Sequence, residues 1–259
     1  MNIVVCVKQV PDTWAERTLR ADDSRLDRAS VDGVINELDE YAIEEGLRLA
    51  EAHGGEVTVL SMGPEKAGDS IRKALSMGAD KAVHLVDDAL EGSDALATSL
   101  AIATVLKRTG FDLVILGSES TDARMGALPA MLAERLGVPQ LTMASKVEID
   151  GTAITIHRQA DYGYDKVAGS LPAVVSVVEK INEPRYPSFK GIMAAKKKPV
   201  EVLSVADAGI DPAQVGLGAA ATEVVSFSKR PPREAGTIVK DEGDGGVKAA
   251  EFLAAQKFI

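Results

Sequence analysis

Through its first two thirds the chain alternates short, β-rich, mostly apolar runs with amphipathic stretches of helical period. Residues 2–7, 57–61, 81–86 and 113–116 are the apolar runs. Runs of this length without polar alternation mark strands covered on both faces of a parallel sheet. The first helical pattern spans 37–53. Asn36 is placed to cap it, Asp39 stands in a capping-box position, and Gly54-Gly55 ends it. A second pattern spans 65–76, and a third spans 94–109 behind Ser93 as its cap. The fourth repeats Leu128, Leu132 and Leu136. These alternations predict an α/β fold with a doubly wound, mostly parallel sheet. Two interruptions stand out. Residues 8–13 read as a loop, because Pro11 has no N–H for a ladder and Asp12 favours turns. Residues 18–34 read as a polar excursion with at most a small hairpin.

Beyond Pro139 the period falls to two. Residues 146–149 and 153–158 predict an antiparallel hairpin across Asp150-Gly151, with a type I′ turn. A polar loop, 159–165, leads to the run 167–171, and the apolar run 173–178 rejoins the sheet. From residue 182 regular alternation is lost, until 247–258 resumes a helical pattern. The chain therefore divides into an α/β domain at 1–181 carrying the hairpin region 146–171, a connecting segment at 182–235, and a C-terminal arm at 236–259. An arm with so little core of its own is expected to lie on another surface, either a partner subunit or its own domain.

Charge and composition narrow the chemistry. A net charge of −10 opposes non-specific nucleic-acid binding. No apolar run approaches the roughly 20 residues of a membrane span. The N-terminus turns polar too soon for a signal peptide. Cys6 is the single cysteine, which fits a reducing, cytoplasmic setting. His53, His84 and His157 lack metal-ligand spacing, and no hydrolase elbow, Walker A loop or zinc-protease helix is present. The stretch 111–126, FDLVILGSESTDARMG, has the form strand, polar loop, helix start. That form presents backbone N–H groups to an anion, here a nucleotide phosphate. An ordinary βα turn has the same form.

VCVKQVPDT near the start, NELDEYAIEEGLRLAE, GPEKAGDSIRKALSMGAD, LVILGSESTD, LPAVVSV, PPREAG and above all NEPRYPSFKGIMAAKKK strongly resemble the β subunit of electron transfer flavoprotein. The resemblance implies a Rossmann-like, adenine-nucleotide-binding fold and a heterodimer with an α subunit that binds most of one FAD. It implies AMP in the β subunit and no complete active site of its own, so an electron carrier and not an enzyme. Electrons would pass from acyl-CoA dehydrogenases of fatty acid oxidation and related flavoenzymes to a quinone oxidoreductase. The C-terminal arm would pack on the α subunit.

By position, the resemblance assigns the AMP pocket to Cys6, Val7, Asn36, Glu37, Leu38, Asp39, Met62, Gly63, Gly117, Asp122, Arg124, Met125, Gly126, Ala127 and Leu128. Many members carry polar amides and hydroxyls where this chain has Met125-Gly126-Ala127-Leu128. Pro11, Asp12 and Thr13 are expected near the flavin. Partner recognition falls to Ser188, Phe189, Ile192, Met193, Lys196, Lys197 and Lys198, with Phe189 where Leu is usual and the lysines steering acidic partners. Asp161-Tyr162-Gly163-Tyr164-Asp165 replaces the family's Asp-Gly-Gly-acid loop, and its tyrosines fit either the subunit interface or this subunit's own surface. Three alternatives stand beside the carrier: an electron-bifurcating relative with a second FAD in the AMP place, a free-standing adenine-nucleotide sensor resembling universal stress proteins, and a nucleotide-consuming enzyme.

Overall fold

The computed structural model describes residues 1–233, 236 and 238–259. The domain boundary expected at 235 and two residues of PPREAG, Glu234 and Ala235, lie outside them. The chain separates into two compact units, Met1–Val225 and Ser226–Ile259.

The first unit is built on a nine-stranded sheet. Strands β1 (Asn2–Cys6), β4 (Glu56–Met62), β5 (Lys81–Leu85), β6 (Leu113–Gly117), β7 (Gln140–Asp150), β8 (Ala153–Ala160), β9 (Gly163–Ser170), β10 (Ala173–Val177) and β11 (Val200–Leu203) lie in the order β11-β5-β4-β1-β6-β10-β7-β8-β9. Pairing is parallel from β11 to β7 and antiparallel across β7-β8-β9. Two short strands, β2 (Gln9–Pro11) and β3 (Gly33–Ile35), form a separate antiparallel ribbon.

Successive side chains of one strand feed two cores. Ile3 and Val5 of β1 pack with Ile43 and Leu47 of helix α1 (Glu37–His53) and Ile71 and Leu75 of α2 (Gly68–Met77). Val4 packs on the other face with Leu106 of α3 (Ala95–Thr109) and Leu132 of α4 (Leu128–Leu136). The doubly wound reading holds, because strands buried at nearly every position need cover on both sides.

Local expectations differ from the structure in five places. The 8–13 segment is not all loop: β2 pairs with β3, and Pro11 is tolerated at the end of a two-stranded ribbon. Asp94, not Ser93, caps α3, its carboxylate accepting the Ala97 N–H at 3.0 Å. Between β7 and β8 only Gly151 takes a positive φ, +58°. A type I′ turn needs two, so the hairpin turns differently. The polar loop 159–165 is instead a tight turn, since Ala160 pairs with Gly163 and the β8-β9 ladder continues from there. Finally, β11 adds a parallel edge strand within a region lacking regular alternation. At four residues it is too short to display a period.

The second unit carries helix α6 (Gly245–Ala255). None of its residues is buried, and Val247, Phe252 and Phe258 are exposed. Among the described residues no helix is long and apolar enough to cross a membrane.

Candidate functional site

The carboxyl ends of β4, β1 and β6 lie side by side, which brings Met62, Cys6 and Gly117 to one edge of the sheet. Open α/β sheets bind ligands at this edge. Val7, buried, continues β1 with its N–H on the Leu60 carbonyl at 2.9 Å. Gly63 prolongs β4, donating to Leu85 O at 3.1 Å and lying 3.1 Å from His84 Nε2 through its carbonyl.

Asn36 occupies the cap position of α1 but does not cap it by its side chain. Its amide Nδ2 donates to Asp39 Oδ1 at 2.9 Å and to Glu119 O at 3.0 Å, while its Oδ1 accepts the Thr121 N–H at 3.1 Å. The capping box is likewise replaced: Asp39 Oδ2 accepts the Lys8 N–H at 2.8 Å, and the Asn36 N–H goes to Lys8 O at 2.9 Å. A cap would serve the helix alone, whereas this arrangement ties α1, the end of β1 and the 118–122 loop together. Gly117 is required at the junction. A Cβ there would lie 2.6 Å from Asp39 Oδ1 and 2.8 Å from Leu38 Cβ.

Two buried groups are electrostatically displaced. Burial pushes the Asp39 carboxyl up to about 7 against hydrogen bonds from Asn36, Lys8 and Gly117. Burial, with Asp39 nearby, also pushes the Cys6 thiol up, so Cys6 is an inert core residue. Asp122 goes the other way. Its side chain is fully buried, and burial alone would raise it. Lys8 Nζ at 2.9 Å and Arg28 Nη2 at 2.5 Å more than offset that and hold the carboxyl well below the usual range.

Lys8 also reaches Ser120 Oγ at 3.3 Å, and Arg17 donates to the Thr121 carbonyl. Lys8, Arg17 and Arg28 were not among the expected site residues. Their partners lie 94 to 114 positions away, and no local pattern encodes such contacts.

Beyond Asp122 the loop turns sharply. Arg124 has φ +49° and Gly126 φ +64°, and the left-handed Arg124 marks a constrained bend. Helix α4 starts with Ala127 in the cap position and no side-chain cap. Arg124 is exposed, 3.7 Å from Glu119. Met125 is exposed, and Ala127 and Leu128 are half-buried. Thr121 Oγ1 and Ser61 Oγ are buried without a hydrogen-bond partner. These features suit an adenine nucleotide: a free helix start and Arg124 for phosphate, and unpaired hydroxyls for ribose or base. Glu37 is exposed and accepts Thr13 Oγ1 at 3.3 Å, which brings the Pro11-Asp12-Thr13 loop to α1.

The residues expected to recognise a partner lie on a second surface. Most of them lie on or beside helix α5 (Phe189–Ala195), which Ser188 caps, its Oγ accepting the Gly191 N–H at 3.0 Å. A Cβ on Gly191 would lie 2.4 Å from Ser76 O, so α5 rests closely on α2. Phe189 is 82% exposed, and Ile192 and Met193 are exposed beside it. A groove of about 460 Å³ runs between α2 and α5 past Arg72, Ser76, Ile192 and Lys196. Lys196 and Lys197 are exposed, but Lys198 does not join a steering patch. Its ammonium donates to Leu75 O, Gly78 O and Ala79 O at 3.0, 3.0 and 2.6 Å, closing the end of α2.

The two tyrosines of the β8-β9 turn bond within the hairpin. Tyr164 stacks on His157 at 4.3 Å, and Tyr162 OH donates to Asp165 Oδ2 at 2.6 Å. Among the described residues no group of three or more His, Cys, Asp or Glu could hold a metal.

The electron transfer flavoprotein domain matches residues 24–208. The electron transfer flavoprotein subunit beta of Mycobacterium tuberculosis is 53% identical over 264 residues, covering 100% of this chain and 99% of its own. That of Megasphaera elsdenii is 36% identical over 271 residues with both chains fully covered. That of Bacillus subtilis is 37% identical over 212 residues, 82% of each chain.

Proposed function

The chain belongs to the electron transfer flavoprotein family as a β subunit, and from that premise we propose that it is the nucleotide-holding, partner-recognising half of a two-subunit electron carrier. An α subunit completes the carrier and holds most of one FAD. The β subunit holds AMP at the carboxyl ends of β4, β1 and β6. The observation that carries this reading is the stitched loop: Asn36, Lys8, Arg17 and Arg28 fix residues 119–122, and an uncapped helix start follows. A loop held so firmly without catalytic side chains suits a structural ligand.

FAD, when bound, supplies the electron-accepting and electron-donating chemistry. The residues of this chain bind and orient. Arg124 and the start of α4 hold phosphate, Gly117 lets the backbone approach closely, and the 11–13 loop faces the flavin side. Phe189 on α5 seats in the donor, an acyl-CoA dehydrogenase or a related flavoenzyme, and a quinone oxidoreductase accepts the electrons. The exposed apolar side of α6 covers part of the α subunit. The setting is the cytoplasm.

Co-expression with the α subunit and mass identification of the released small molecules test this reading. One FAD and one AMP per complex are expected. Two FAD would replace the AMP assignment with bifurcation. A stable homodimer that binds ATP without flavin would overturn the carrier.

A further inference from the structure

Residues 17–28, within the polar excursion, fold into a small hairpin. Its arms meet at an antiparallel bridge between Leu19 and Leu26. The Arg20 N–H donates to Arg25 O at 2.8 Å and the Asp27 N–H to Thr18 O at 3.0 Å. Asp23 braces the tip, accepting Arg20 Nε on Oδ1 at 3.1 Å and Arg25 Nε on Oδ2 at 2.7 Å.

The hairpin is anchored at two places. At its base Arg17 donates to Thr121 O and Arg28 Nη2 lies 2.5 Å from Asp122 Oδ2, both in the loop after β6. At its tip Arg25 Nη1 lies 3.2 Å and Arg20 Nη2 3.6 Å from Glu91 Oε1, in the loop after β5. Strands β4 and β1 lie between β5 and β6, so the two anchors stand three strand spacings apart, about 14 Å. A hairpin held at both ends therefore passes the carboxyl ends of β4 and β1, where Met62 and Cys6 stand. Arg17 and Arg28 alone would suffice to brace the 119–122 loop. The Glu91 anchor adds nothing to that loop, and closure of this edge of the sheet accounts for it.

We propose that the 17–28 hairpin is a strap across the nucleotide site, and that bound nucleotide leaves only when one of the strap's anchors parts; the inference rests on the AMP reading above. No residue of the strap belongs to either core cluster. Apart from the buried Asp122, its anchoring side chains are partly or largely exposed. The strap can therefore open without unpacking the sheet, as segments with few buried apolar contacts do.

The test counts bound AMP against time. The complex co-expressed with the α subunit is incubated with a 5′-nucleotidase, which destroys AMP as it is released. Glu91→Gln cuts the anchor remote from the 118–126 loop and is expected to speed release about two- to fivefold, the range of an exposed ion pair. Arg28→Ala is expected to speed it about tenfold, while Arg28→Lys, which keeps a cation for Asp122, stays near wild type. Release at the wild-type rate from Glu91→Gln or from Arg28→Ala overturns the strap while the AMP assignment stands. A wild-type complex that carries no AMP overturns both.

Discussion

Arg185 grips Glu44 with both sides of its guanidinium fork, Nε to Oε2 at 2.7 Å and Nη2 to Oε1 at 3.0 Å, across 141 residues of sequence. The Arg185 N–H adds a third bond to Glu44 Oε2 at 3.1 Å, and Nη1 reaches Glu51 Oε1 at 2.6 Å. Asn182 anchors the same segment through the Tyr41 carbonyl and Glu45, each at 3.1 Å. NEPR is thus a clamp that pins the segment leading to α5 onto α1.

Breaking that clamp leaves the Glu44 carboxylate, only 7% exposed in its side chain, without its cation. Arg185→Ala is expected to destabilise the fold by about 2–4 kcal/mol, at or below the usual cost of orphaning a buried charge because Arg185 is one-third exposed. Glu51→Ala, at a 61% exposed side chain, should cost under about 1 kcal/mol. Denaturant unfolding checks both. Equal losses would deny Glu44 its special place.

Phe189 makes the contrasting case. At 82% exposure it contributes little to the fold. Phe189→Ala should leave melting and flavin content unchanged while raising KM for a reduced dehydrogenase about 10- to 30-fold, as loss of an aromatic anchor does. Transfer unchanged at limiting donor would remove the anchor role.

Within the 118–126 loop, two substitutions should separate folding from the proposed nucleotide binding. Arg124 is 69% exposed in its side chain, so Arg124→Ala should shift stability by no more than about 0.5 kcal/mol yet lower the amount of nucleotide retained on purification. Asp122→Ala removes the buried acceptor that Lys8 and Arg28 share and should lower both, with about 1–3 kcal/mol of stability lost because the two cations left behind are partly exposed. Full nucleotide content in Arg124→Ala would deny that residue its phosphate role.

How much of this was legible beforehand follows from the range of each interaction. The apolar runs at β1, β4, β5 and β6 declare buried parallel strands by themselves, and the helices between them follow from period and terminal glycines. The ends of elements were less visible. Asn36 and Asp39 have the residue types of a capping box, yet their side chains turn to Glu119, Thr121 and Lys8, because a distant loop competes for the same hydrogen bonds. Lys198 sits in a run of three lysines that reads as a solvated face. Only the fold shows that one of the three fills the end of α2. The ion cluster at Asp122 joins three parts of the chain and has no local signature at all.

Asp39 sets a pH dependence whose sign is fixed by its burial. Its carboxyl rises from 3.8 to about 7 in the folded protein. Between those values the folded chain holds a proton that the unfolded chain has released. Stability from this group therefore falls as pH rises from about 4 to 7, by at most about 4 kcal/mol. Asp39→Asn removes the titration. It also leaves one side-chain acceptor oxygen for the N–H donors of Asn36, Lys8 and Gly117. The variant should accordingly be less stable than wild type at pH 5, and the gap should narrow as the wild type ionises Asp39 towards pH 8. Thermal unfolding of both proteins at pH 5, 6, 7 and 8 gives the comparison. A gap that stays constant or widens with pH would show that Asp39 is not the group that titrates.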